Sequence, residues 1–145
     1  MPYGRYRDRS NGGNRCGGDV ADRNYRIRVE VISRFLPEQS EPHESRYAFA
    51  YTVRIINDGS VASQLISRHW IIEDESGKVI EVAGLGVVGQ QPLLRPGEAF
   101  EYTSGSQIAT PSGKMRGSYF FVAEDGHRFD ADIAAFALSM PRTLH

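Results

Sequence analysis

The stretch Gly84-Leu85-Gly86-Val87-Val88-Gly89 matches the pattern G-x-G-x-x-G and is the part of the chain most suggestive of chemistry. In a dinucleotide-binding fold such glycines allow a tight turn, and the helix that follows aims its N-terminal amides at a pyrophosphate. Three features of context test that reading. A strand should precede the motif, and Lys78 to Val82 supplies one. A helix should follow, but Pro92 and Pro96 leave no room for it. An acidic residue should stand about 20 residues further on, where the chain has Ala109 and Thr110. Two of the three fail, so a Rossmann-type site is not expected. A looser phosphate nest of loop amides stays open, with Gly84, Gly86, Gly89 and Gln91 as its residues. The competing reading is architectural: the glycines take positive φ or let strands pass closely, and Val87 and Val88 plug the end of the fold. The pair Gly113-Lys114 is no P-loop, because Met115 follows it and Ile108 occupies the first glycine position.

Other reactive side chains are scattered. His43, His69, His127 and His145 lack the close His/Cys spacing of a zinc site. Asp130 and Asp132 share one strand face with Asp125 in the turn before them, which could touch Mg²⁺ or Co²⁺ weakly. Arg128 beside them opposes a cation, and a solvated face is the simpler reading. In Tyr102-Thr103-Ser104-Gly105-Ser106 neither serine is flanked by glycines two residues away on both sides, so no nucleophile elbow forms. No catalytic residue, metal site or cofactor is expected.

The elements that must carry these residues read as strands. Ile27, Val29 and Val31 alternate with Arg26, Arg28 and Glu30, the period of a half-buried strand. Tyr47 to Ile55 continues that period and stops at Asn57-Asp58-Gly59, a strong turn signal. Further strands are expected over Leu65 to Glu73, Lys78 to Val82, Glu98 to Thr103, Gly117 to Ala123 and Arg128 to Leu138. Ala134 to Leu138 could be a helical turn or a strand end, and is read as strand. Period two puts Arg68, Trp70 and Ile72 on one face of their strand, and Ser67, His69 and Ile71 on the other. About seven short antiparallel strands with no amphipathic helix give an all-β sandwich of the immunoglobulin or fibronectin type III kind. The Cys–Trp–Cys pattern of antibody domains is missing, which favours the fibronectin-like form.

The 145 residues suit one domain, with 40% hydrophobic and 24% charged residues. Residues 1–24 differ: they are rich in Arg and Gly, and Val20 is their only branched aliphatic residue. They read as a disordered tail ahead of a domain over 25–145. The tail carries five Arg and three Asp, and the whole chain has a net charge of -1, which gives no support for nucleic-acid binding. The lone Cys16 cannot form an internal disulfide. No apolar run approaches the roughly 20 residues of a membrane span, and the N-terminus has no apolar core of a secretory signal. The expected place is the cytoplasm.

Several strings together resemble the ApaG family. They are Arg46-Tyr47-Ala48-Phe49-Ala50-Tyr51-Thr52-Val53, His69-Trp70-Ile71-Ile72, Gly86-Val87-Val88-Gly89-Gln90-Gln91-Pro92, Pro96-Gly97-Glu98, Tyr102-Thr103-Ser104-Gly105, Met115-Arg116-Gly117-Ser118-Tyr119 and Pro141-Arg142-Thr143-Leu144-His145. The likeness runs in order from about Tyr25 to His145. Many relatives carry Glu in the glycine loop where this chain has Leu85, so the resemblance implies no role for a carboxylate there. The resemblance implies a fibronectin type III-like sandwich and an indirect link to cobalt and magnesium resistance or efflux in bacteria. It also implies a protein-interaction module, with an unidentified protein as partner. A phosphate or nucleotide ligand on the glycine loop is the alternative. The candidate surface joins Gly84, Gly86, Gly89 and Gln91 to Tyr102, Thr103, Ser104 and Gly105. A Gly86→Glu change is expected to remove binding and leave the fold intact.

Overall fold

In the computed structural model, residues 23–141 are described, and they form two antiparallel sheets facing each other. Of the expected tail over residues 1–24, residues 1–22 lie outside the described residues, Cys16 among them, as do the closing residues 142–145. The strands are β1 (Ile27–Phe35), β2 (Tyr47–Asn57), β3 (Ser63–Asp74), β4 (Val79–Leu85), β5 (Leu93–Leu94), β6 (Ala99–Ile108), β7 (Ser112–Ala123) and β8 (Arg128–Ser139). One sheet has the order β1-β2-β6. The other has the order β4-β3-β7-β8, with β5 also paired to β3. The all-β sandwich is therefore as expected, and residues 134–138 are strand. The short β5 was not foreseen, and β4, β6 and β7 run further than their side-chain periods suggested.

Alternation sets which side chains enter the core. In β1, Ile27, Val29, Val31 and Phe35 are half-buried against it, while the charged residues between them point to solvent. β2 lies between two neighbours in its sheet and is buried along most of its length. Trp70 is buried as its face assignment required. Its ring packs edge-on to Tyr51 at 5.3 Å, Tyr119 at 6.2 Å and Phe136 at 5.9 Å, joining both sheets. Burying such large rings contributes several kcal/mol, at roughly 25 cal/mol per Å² of apolar surface.

Asn57 is a buried polar residue whose side chain is fully used. Its amide donates to the carbonyls of Val61 at 3.0 Å and Leu94 at 2.9 Å, and its oxygen accepts from the Gly59 N–H at 2.8 Å. One side chain thus ties the β2–β3 turn to β5, which offsets the cost of its burial.

The two sheets differ in width. β1 lies beside β8, where the Ser33 hydroxyl donates to the Ala137 carbonyl at 2.8 Å. Counting strands from that side leaves β4 with no strand above it. Ile80 and Val82 pair with the buried Ile72 and Trp70, and so point to the same side. They are nevertheless 38% and 37% exposed.

Candidate functional site: a turn ejected from the sheet edge

β4 and β5 both pair with the same side of β3 and run in the same direction. β4 covers Ser67 to Glu73 and β5 covers Ser63 and Gln64. They are two pieces of one edge strand, and residues 86–92 leave that edge and return to it. The β3 residue opposite the gap is Ile66, where the pairing with β7 also shifts register. Its carbonyl accepts from the Gly86 N–H at 2.8 Å and from the Gln91 side-chain amide at 2.9 Å. The Gln64 side chain donates to the Gln91 carbonyl at 3.0 Å, and the Leu65 N–H to the Pro92 carbonyl at 3.0 Å. Both stems of the ejected segment are therefore fastened to β3.

Within the segment, Val87 and Gln90 bridge a two-residue turn whose central residues are Val88, at φ 41°, and Gly89, at φ 80°. Positive φ at both centres is the type I′ pattern, normally served by Asn-Gly. Valine is a poor residue for it, because a β-branched side chain crowds the left-handed backbone. Such a conformation costs about 1–3 kcal/mol and persists only where the surroundings impose it. Val87, fully buried in the core cluster, is what imposes it here. Val87 thus plugs the sandwich as expected. Val88 does not: it is 53% exposed at the tip.

Arg68 completes the clamp. It sits on the core face of β3, and its guanidinium donates to the carbonyls of Leu85 at 3.0 Å and Gly86 at 2.9 Å. Gly84 admits it, since a Cβ there would stand about 3.0 Å from the guanidinium. Gly86 has φ 66°, and a Cβ would come 2.5 Å from the Gln90 carbonyl oxygen. Gly86→Glu would therefore break the turn, contrary to the expectation that the fold would survive it. The amides of Gly86, Val87 and Gln90 all donate within the protein.

The turn presents apolar surface. Leu85 before it is 74% exposed and Leu93 after it 48%. On the outer face of the sheet beside Leu85 lies an open groove of about 580 Å³, lined in part by His69, Phe120 and Asp130.

The β6 half of the expected surface lies on the other sheet. Tyr102 is buried, and its hydroxyl lies 2.5 Å from that of Tyr119. Burial raises the Tyr102 hydroxyl pKa to about 12 and pushes that of Tyr119 higher still. The Thr103 hydroxyl bonds that of Thr52 at 2.8 Å in an exposed cross-strand pair. Ser104 and Gly105 pair with Tyr51 and Ala50 within the ladder, so they belong to a strand and not to a loop. The structure gathers Gly84, Gly86, Gly89 and Gln91 about the turn, and places Tyr102, Thr103, Ser104 and Gly105 on β6 of the facing sheet, with the Tyr102 hydroxyl reaching Tyr119, the cross-strand partner of Arg68.

His69 stands 3.5 Å from Glu81, both exposed, and His127 stacks on Tyr25. Asp125 accepts from the Tyr25 hydroxyl at 2.6 Å and from the His127 N–H. Those bonds hold its carboxyl below the usual range. Among the described residues, the group whose donors could share an ion is the exposed Glu41, His43 and Glu44. Arg46 already pairs there with Glu41 at 3.1 Å and Glu44 at 3.2 Å.

Comparison with known proteins agrees with this architecture. The family profile described as the ApaG domain matches residues 37–123. Protein ApaG of Ralstonia nicotianae is 65% identical over 121 residues, which cover 83% of this chain and 98% of that protein. Protein ApaG of Aromatoleum aromaticum is 61% identical over 121 residues, covering 83% and 95%. The crystal structure of a Bordetella pertussis protein described as ApaA superposes with a TM-score of 0.81 at 59% identity, over 83% of this chain and 98% of that one.

Proposed function

Since the chain belongs to the ApaG domain family, we infer that it is a non-enzymatic interaction module that presents the ejected turn to a cytoplasmic protein partner. The observation that carries this reading is Val88. Its backbone is strained, its side chain faces water, and the fold would be more stable with another residue there. A strained apolar tip on a clamped turn is a cheap recognition element, because little more is ordered on binding. Leu85 and Leu93 widen the apolar contact on either side.

On this proposal the family's association with cobalt and magnesium resistance runs through that partner. No described helix is long and apolar enough to cross a membrane. Among the described residues, the Glu41, His43 and Glu44 group, whose donors could share an ion, is bridged by Arg46.

The second reading is a phosphate or nucleotide held by Gly84, Gly86 and Gly89, favoured by the glycine spacing alone. It has fewer donors than the motif suggests, because three turn amides are already used within the protein.

The test uses the full chain as bait in its native cells, followed by reconstitution with the purified partner. Val88→Asp should keep the fold, since Asp tolerates left-handed backbone, and should weaken the purified pair at least ~10-fold, the scale of an interface anchor. Equal affinity for the two proteins would remove the turn from the account.

A further inference from the structure

We propose that the free edge of β4 is a self-association site, at which two copies of this chain pair their β4 strands antiparallel about a twofold axis at Val82. The backbone supports an edge open for pairing. The Gly86 N–H donates to Ile66 and the Asp74 N–H to the Lys78 carbonyl, so the even-numbered residues of β4 bond to β3. By alternation, the N–H and C=O groups of Val79, Glu81 and Ala83 point away from the sheet. Natural edges are usually blunted by charge, proline or a bulge. β4 reads Val-Ile-Glu-Val-Ala-Gly-Leu, with one charge and no proline, and all of it but Gly84 is exposed. Of the seven large apolar residues exposed among the described residues, four (Val79, Ile80, Val82 and Leu85) lie on this strand.

The sequence of β4 fits its own copy in one register. With the axis at Val82, Glu81 falls opposite Ala83 of the second copy, and the two glutamates do not meet. On the same outer face Val79 falls opposite Leu85. On the inner face Val82 meets Val82, and Ile80 falls opposite Gly84, which has no side chain of its own and lies under the Arg68 guanidinium. Three of the strand's four exposed large apolar residues, Val79, Val82 and Leu85, then face an apolar one. Moving the axis to Glu81 sets two like charges directly opposite, which is destabilising. Moving it to Ala83 leaves Val79 beyond the paired stretch. The two sheets would become one, continuous through both copies. This site shares Leu85 with the flank of the turn but does not include its tip, Val88, so its failure would leave the interaction reading untouched.

Sedimentation of the full chain over a concentration series tests the proposal. The contact is small, so the dimer is weak and should appear above roughly 0.1 mM. Ala83→Glu puts two like-charge pairs across the axis and should weaken it at least ~10-fold. Ala83→Lys puts the same position opposite Glu81 with opposite sign and should keep or tighten it. Ala83 is exposed, so both variants should fold, and their melting curves verify that. A second measurement reads the register directly, in a Cys16→Ser background. Opposed residues of a non-hydrogen-bonded pair stand about 4.5 Å apart at Cα, inside the disulfide range of about 4.4–6.8 Å. Val82→Cys should therefore oxidise to a covalent dimer, and Ile80→Cys should not. A chain that stays monomeric at roughly 1 mM, or a dimer indifferent to the charge at position 83, would overturn the proposal.

Discussion

Val87 and Gln90 face each other across the turn and exchange both backbone hydrogen bonds, at 2.8 and 2.9 Å. That reciprocity closes the turn on itself, and it has opposite consequences for the nucleotide reading and for the interaction reading. It turns two amides away from an incoming anion, and it lifts Val88 into solvent.

A ligand titration follows from the first consequence. With isotopically labelled protein, millimolar ATP or diadenosine polyphosphate should leave the amide resonances of Gly86, Val87 and Gln90 in place. Saturable shifts at those amides would favour the nucleotide reading over the interaction module.

The glycines of the region should not respond alike to alanine. Gly86→Ala meets the Gln90 carbonyl and also sits at positive φ. It should cost about 2–4 kcal/mol in urea denaturation. Gly117→Ala should cost a similar amount, because a Cβ there runs into the His69 carbonyl on the neighbouring strand. Gly89→Ala has open space around it and only the φ penalty, about 1 kcal/mol. Equal losses at all three would contradict the close approaches described.

The Tyr102–Tyr119 pair gives a pH dependence. Tyrosine in an unfolded chain ionises near pH 10, at about its free value. In the folded protein burial holds the Tyr102 hydroxyl neutral up to about 12, and Tyr25, bonded to Asp125, is likewise raised to about 12. These pKa values are raised, so the unfolded state loses its protons first. Stability from these groups is complete below about pH 10 and drains away as pH rises through 12. Phenolate absorbance should rise in step with unfolding. Tyr102→Phe and Tyr119→Phe should each cost about 1–2 kcal/mol by leaving a buried hydroxyl alone. The double variant should cost less than their sum.

How much of this was legible in sequence depended on whether a residue's role showed in its neighbours. The alternation of Ile27, Val29 and Val31 announced β1, and period two put Trp70 and Arg68 on the core face, where both are found. Pro92 and Pro96 correctly excluded a helix after the glycines. The strand through Ser104-Gly105-Ser106 was missed because small polar residues look like loop, although the ladder to β2 uses their backbone alone. β5 has two residues, too few to show a period. The strain at Val88 was hidden because valine is a strand former by propensity, and only burial of Val87 next to it forces the turn. Arg68 carries the one sequence signal of the clamp: a charged residue on a core face needs partners, and it finds them in the carbonyls of the ejected segment.

In the proposed interaction module Val88 trades stability for recognition, and Val88→Asn measures both sides of that trade in one protein. Asn-Gly is the preferred pair for this turn, so relief of strain should stabilise the fold by about 1 kcal/mol and raise Tm by about 4 °C. The same change removes the apolar tip, so affinity for the reconstituted partner should fall at least ~10-fold. A variant that is more stable and binds poorly is the predicted result. Val88→Asn that binds its partner as tightly as the natural chain would contradict the account.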